Sequence, residues 1–344
     1  MIYSLQAEKA TTSTISGVSA MTVLSAGAKG GRSLPSLQRM AEMLGVSRSG
    51  YYAWLARTHG PDGQGVEPGP RAARREELLA KIAAAHRASD EVFGAPRIVA
   101  DLRDAGEVVS RKTVAKLMRQ NEIRGISPRP WRPVTTIGDG RVHSIPDLVN
   151  RQFDRGELNK VWTSDITYLR TDQGWLYLCA VRDGCSRRVI GYAFSPSLHT
   201  DVVETALRRA VTFRDGLEPT HHDAGIVDHD QDAHDLEDDK VIFHADRGTQ
   251  YTSTQLAQAV GELGVRLSVG RTGVCWDNAQ QESFWSTLKT EFYDRHHFTT
   301  HTDAAHAVSS WIEDVYNRRR RHSALGMTNP VAFEHRLTTT AEAA

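Results

Sequence analysis

The spacing of apolar and polar positions changes period several times along the chain, and each change marks an element boundary. From Ser36 the string SLQRMAEMLGVSRSGYYAWLAR has helical spacing to Leu44, a turn at Gly45, and a second helix entered through Ser47, whose hydroxyl can cap free N–H groups. These are helix-turn-helix proportions. Helical spacing returns over 71–88, 96–105 and 110–121, with Gly106 and a β-branched pair between the last two. The Gly- and Pro-rich stretches 59–70 and 126–149 read as linkers. Beyond residue 150 the period shortens. Runs at 161–169, 176–181 and 188–194, separated by Gly174 and Gly184, predict a three-strand meander. A helix at 202–213, a strand at 241–244, a helix at 254–263, a strand at 265–269 and long helices at 278–292 and 301–317 follow. Strands first, then alternating helix and strand, predict an α/β layered domain with a mixed central sheet, preceded by helical modules.

The corresponding domain division is an extension at 1–33, rich in Ser, Thr, Ala and Gly and expected to be disordered. A helix-turn-helix segment at 34–58 and a helical DNA-binding module at 71–125 follow, then a linker at 126–149 and a core at 150–335. The second module sets Arg111, Lys112 and Lys116 along its later helix, as a DNA-reading helix requires, although a small bundle with a solvated basic face has the same pattern.

Net charge alters this picture only when it is divided along the chain. Lys and Arg total 42, as do Asp and Glu, for a formal net charge of zero. Residues 215–239 alone carry ten of the acids and no Lys or Arg, so the remainder has an excess of ten basic groups, which suits a polyanionic partner. The histidines of that acidic insertion (His221, His222, His229 and His234) could bind a metal, but a solvated loop is the preferred reading. Three cysteines without a CxxC pair fit a reduced cytoplasm, and no apolar run approaches a membrane span, so no membrane partner is expected.

Asp165 falls within the first predicted strand, Asp246 just beyond the fourth, and Glu282 one turn into the helix that follows Trp276 and Asp277. Three carboxylates can thus converge at one sheet edge, as a pair of Mg²⁺ ions requires. Each acid also has a plainer reading: a structural strand Asp, a turn Asp before Arg247 and Gly248, and a helix-surface Glu. Asp277 reads as a helix cap, and Trp162 and Trp276 as packing residues. Lys289 lies two turns beyond Glu282, on a helix whose apolar face includes Trp285, Leu288 and Phe292, where it could contact a DNA backbone. The Arg318 to Arg321 cluster, with Arg319 and Arg320 foremost, offers either a solvated helix cap or a phosphate-contacting patch.

The strings VWTSDITYL (161–169), FHADRGTQYTS (243–253), GVCWDNAQQESFWSTLKTEF (273–292) and YNRRRRHSALGMTNPVAF (316–333) resemble the integrase-type transposases of bacterial insertion sequences. The likeness is closest to the second-reading-frame protein of the insertion-sequence-three family. It implies a ribonuclease H-like integrase catalytic core and two divalent ions held by the acids matching Asp165, Asp246 and Glu282. It also implies cleavage to a 3′-hydroxyl followed by strand transfer, through a circular element intermediate. The implied partners are element-end and target DNA, further copies of the chain on DNA, and a first-reading-frame protein; the implied location is the nucleoid. Ala245 stands where the family usually has a small hydroxyl residue, and Thr249 where it commonly has Ser. The alternatives are a catalytically inert DNA-binding regulator and a ribonuclease H-like nuclease without strand transfer.

Overall fold

A computed structural model describes residues 37–43, 45, 47–59, 69–126, 145–215, 240–270 and 278–342. The 1–33 extension, most of both linkers, the acidic insertion from 216 onward, and Cys275, Trp276 and Asp277 lie outside them. The chain forms two compact units, 1–80 and 81–344.

In the first unit, α1 (Leu37–Met43) and α2 (Arg48–His59) are joined through Gly45, whose φ of +65° is readily adopted only by glycine. Ser47 Oγ accepts a 3.0 Å hydrogen bond from Gly50 N–H, so α2 starts at the cap the sequence predicts. Ala41 and Tyr51 are buried.

Helix α3 (Pro70–Ala88) leads into the second unit, where α4 (Ala95–Asp104) and α5 (Arg111–Gln120) pack together. Ser110 caps α5 through Thr113 N–H at 3.1 Å, and Gly106, at φ +80°, turns the chain between the two helices. Val114, Leu117 and Met118 recur at helical spacing and are buried, whereas Arg111, Lys112 and Lys116 on the remaining face are exposed.

The core is a five-stranded sheet in the order β3-β2-β1-β4-β5, comprising β1 (Val161–Thr171), β2 (Gly174–Asp183), β3 (Val189–Ser195), β4 (Ile242–Ala245) and β5 (Arg266–Val269). β1 to β3 form the predicted antiparallel meander; β4 and β5 join in parallel, which makes the sheet mixed. One face packs under α6 (Thr200–Asp215) and α7 (Thr254–Glu262), burying Trp162, Val181, Leu207, Phe243 and Leu256. The other packs under α8 (Ala279–Glu291) and α9 (His301–Ser310), burying Leu169, Leu178, Phe284, Leu288 and Trp311. At Gly191 a Cβ would stand 2.3 Å from Ala206 O, so α6 can lie this close to β3 only because that residue has no side chain.

The predicted helix at 301–317 is α-helical to Ser310 and widens into a π-helix over Trp311–Asn317. A terminal helix α10 (Pro330–Glu342) was not foreseen. Its anchor is Glu334, which accepts hydrogen bonds from Ser186 Oγ and Arg214 Nη2, both at 2.7 Å, and pairs with Arg188. Those partners lie well over a hundred residues away, beyond the reach of any local pattern. Among the described residues, no helix is long and apolar enough to cross a membrane.

Candidate active site

Strand pairing brings the first two acids together. β1 and β4 run parallel with Thr163 opposite His244, so Asp165 and Asp246 each stand two residues beyond the same paired rung. With side chains repeating every two residues and neighbouring strands about 4.8 Å apart, both carboxylates leave the same sheet face on adjacent strands, where β4 stops pairing with β1. Asp246 follows the last residue of β4 and accepts Gly248 N–H at Oδ1, 2.9 Å away. The loop that carries it returns through Tyr251, a fully buried ring whose hydroxyl lies 3.0 Å from Ser164 Oγ, beside Asp165.

Helix α8 brings the third acid. Gln281 is buried against the sheet and donates from Nε2 to Thr163 O at 3.2 Å and Ala180 O at 2.8 Å; Ala180 is the β2 partner of Asp165. Arg182, also buried, returns a bond to Gln281 Oε1 at 3.1 Å and another to Gln280 O at 2.6 Å. One turn on, the indole N–H of Trp285 donates to Asp165 Oδ2 at 2.9 Å. Glu282 therefore lies between two residues that fasten its helix to the strand bearing Asp165, and its own side chain is half-buried.

Burial and the neighbouring charge of Asp246 push the Asp165 carboxyl up to about 7, against the bonds from Ile166 N–H and Trp285, with Glu282 adding a further upward push. Burial also raises Asp246, opposed by the Gly248 bond and by His244, and raises Glu282. Among the described residues, no three His, Cys, Asp or Glu side chains close into a ready-made metal cage. What the acids share is an edge and a field: oxygen-only donors whose mutual repulsion a hard divalent cation would relieve. The donor set fits a hard divalent metal ion.

The cations named from sequence have different fates. Lys289 is half-buried, with Nζ 4.8 Å from the centroid of the Tyr168 ring. Arg320 corrects the expectation of a DNA contact: it is buried, donating to Glu291 Oε2 at 2.7 Å and Oε1 at 2.8 Å. Arg319 is exposed, yet its guanidinium donates to Ala88 O. Sequence reasoning placed Trp285 only on an apolar face and did not single out Gln281, Arg182 or Tyr251; their partners are sheet backbone atoms and residues up to 120 positions away.

A mixed sheet of this order, with an acid within β1, another just past β4 and a third on the helix after β5, has the architecture of an integrase-type polynucleotidyl transferase core. The sequence model described as Integrase core domain matches residues 157–275, a second of the same description matches 263–330, and one described as HTH-like domain matches 73–131. The chain is 34% identical over 304 residues to the transposase InsF for insertion sequence IS3A of Escherichia coli (strain K12), covering 88% of this chain and 94% of that protein. It is 32% identical over 297 residues to an insertion element IS600 uncharacterized 31 kDa protein of Shigella sonnei, covering 86% and 98% respectively. The chain belongs to the family of IS3 insertion-sequence transposases, and its function is that of a DNA transposase. Among solved structures, the catalytic core domain of BIV integrase is 14% identical, covering 54% of this chain and 99% of that one at a TM-score of 0.35. Catalytic cores of this class are generally dependent on divalent metal.

Proposed function

We propose that this transposase cleaves element ends to a 3′-hydroxyl and joins that hydroxyl to target DNA, with Asp165, Asp246 and Glu282 as the catalytic and metal-holding residues. What supports the reading is that Asp165 and Asp246 stand on neighbouring strands two residues beyond the same rung, that Glu282 lies on the helix fastened to β1, and that burial and its neighbour's charge raise the Asp165 carboxyl to about 7. Bound between these acids, two Mg²⁺ or Mn²⁺ ions would activate the attacking oxygen and steady the leaving one.

The chain's own residues supply position. Trp285 fixes one oxygen of Asp165 and Ile166 N–H the other, leaving the outward lone pairs for ligands. Gln281 and Arg182 fasten α8, the helix that carries Glu282, to β1 and β2. Phosphoryl transfer of this kind needs alignment and charge neutralisation rather than a protein nucleophile, and none of these contacts invokes one. The exposed Arg111, Lys112 and Lys116 of α5 are taken as contacts to the DNA backbone. The reading includes a homo-oligomer on DNA, because two element ends must be handled, a first-reading-frame partner, and action at the nucleoid.

The test is Mg²⁺-dependent cleavage and strand transfer on labelled element-end duplexes by wild type and Asp246→Asn. The variant should lose activity at least about 100-fold, a typical cost of removing one preorganised electrostatic contact, while still binding DNA. Equal activity of the two proteins would reject the triad; cleavage without joined product would favour a nuclease.

A further inference from the structure

β1 and β2 outrun the rest of the sheet. They pair continuously from Trp162↔Asp183 to Thr171↔Gly174, whereas β4 pairs with β1 only as far as Thr163. Alternation sends Leu169 and Thr171 into the core and Tyr168 and Arg170 to the opposite face, where Tyr177 and Trp175 are their β2 partners. α6 and α7 cover that face as far as Ile166 and Cys179. Beyond that point Tyr168 is 58% exposed and Trp175 46%.

The two rings meet edge to face, with centroids 5.3 Å apart and planes at 83°. Each carries a cation: the Arg170 guanidinium lies 5.7 Å from the Trp175 ring centroid, and Lys289 Nζ 4.8 Å from that of Tyr168. Lys289 also feels the charges of Asp294 and Asp165. The nearby hairpin-tip acid, Asp172, is engaged by His297 at 3.1 Å. Two exposed rings, each with a cation over one face, start three residues along β1 from Asp165, on the opposite sheet face, and match a nucleotide better than an apolar protein surface. Duplex DNA conceals its base faces in the stack, so only unpaired bases could use the rings, with Arg170 and Lys289 taking phosphates.

We propose that Tyr168 and Trp175, flanked by Arg170 and Lys289, form a stacking platform for unpaired nucleotides of the DNA strand whose reacting phosphate lies at the carboxylate edge. The proposal deepens the transposase reading and rests on it. The test measures binding of the full chain to fluorescein-labelled oligo(dT) of about 12 nucleotides, and to a mixed-sequence duplex of similar length, in EDTA so that no catalysis contributes. Tyr168→Ala and Trp175→Ala should each weaken oligo(dT) binding about 10-fold, and duplex binding far less, while Tyr168→Phe and Trp175→Phe stay near wild type. Lys289→Ala should lower the salt slope of oligo(dT) binding by about 1, which the aromatic variants should leave unchanged. Both aromatic side chains are exposed, so unfolding temperatures should hold. Oligo(dT) affinity unmoved in the alanine variants would overturn the platform. So would equal losses for duplex and single strand, which would mark a double-helix surface, or loss of self-association in the DNA-free protein, which would mark a protein interface. Failure of the triad test would leave this metal-free binding result standing on its own.

Discussion

Asp165 is the residue whose surroundings are most tightly specified, with one oxygen bonded to Ile166 N–H and the other to the Trp285 indole. A carboxylate so oriented presents fixed lone pairs to a cation, and loss of such a supporting bond typically lowers metal affinity or activity 10- to 100-fold. Trp285→Phe removes the donor and keeps most of the buried ring beside Phe284, whose centroid is 4.7 Å away. The expected result is a rise of about 10-fold in the Mg²⁺ concentration that half-saturates cleavage, with the fold intact. A Mg²⁺ titration of the two proteins checks it. An unmoved midpoint would reduce Trp285 to packing.

At the scale of elements, local signals and distant ones behaved differently. Gly45, Ser47, Gly106 and Ser110 act on neighbours within a few residues, so the turns and caps of both helical pairs could be read directly from sequence. The strands themselves and the position of Asp246 just past β4 were legible for a related reason: period and flanking turns are local. The fastening of α8 was not. Gln281 looks like any helix glutamine until Thr163 O, Ala180 O and Arg182 are placed around it, as much as 118 residues away. Gln281→Leu would leave two strand carbonyls and a buried guanidinium short of a partner, at about 1–3 kcal/mol for each group left unsatisfied. Thermal unfolding should therefore fall by several degrees, and cleavage should fall at all Mg²⁺ concentrations. The exposed neighbour Ser283→Ala should change neither. A Gln281→Leu protein with wild-type unfolding temperature would show that the helix is held by its apolar face alone.

Across the larger unit, Arg320 and Arg321 of the arginine cluster, read from sequence as a helix cap or a phosphate-contacting patch, form an internal clasp. Arg320 and Arg97 of α4 converge on Glu291 at the end of α8, and Arg321 binds Asp101 and Asp104 of α4, joining segments up to 220 residues apart. The pairs differ in value. Asp104 is largely exposed, so Asp104→Asn should cost at most about 1 kcal/mol. Glu291 is buried, and Glu291→Gln leaves Arg320 and Arg97 without their counter-charge, a change that typically costs about 3–5 kcal/mol. Burial alone would raise the Glu291 carboxyl, but the hydrogen bond and charge of Arg320, with those of Arg97, outweigh it and hold it below the ordinary carboxylate value. A carboxylate lowered in this way binds its proton less tightly when folded than when unfolded. Its contribution is therefore whole above the unfolded value of about 4.3 and is lost as pH falls toward the folded one. Urea midpoints of wild type and Glu291→Gln should differ widely at neutral pH and converge below about pH 4. A gap of constant size across that range would mean that the shape of the glutamate side chain, not its charge, keeps the helical module seated on the catalytic core.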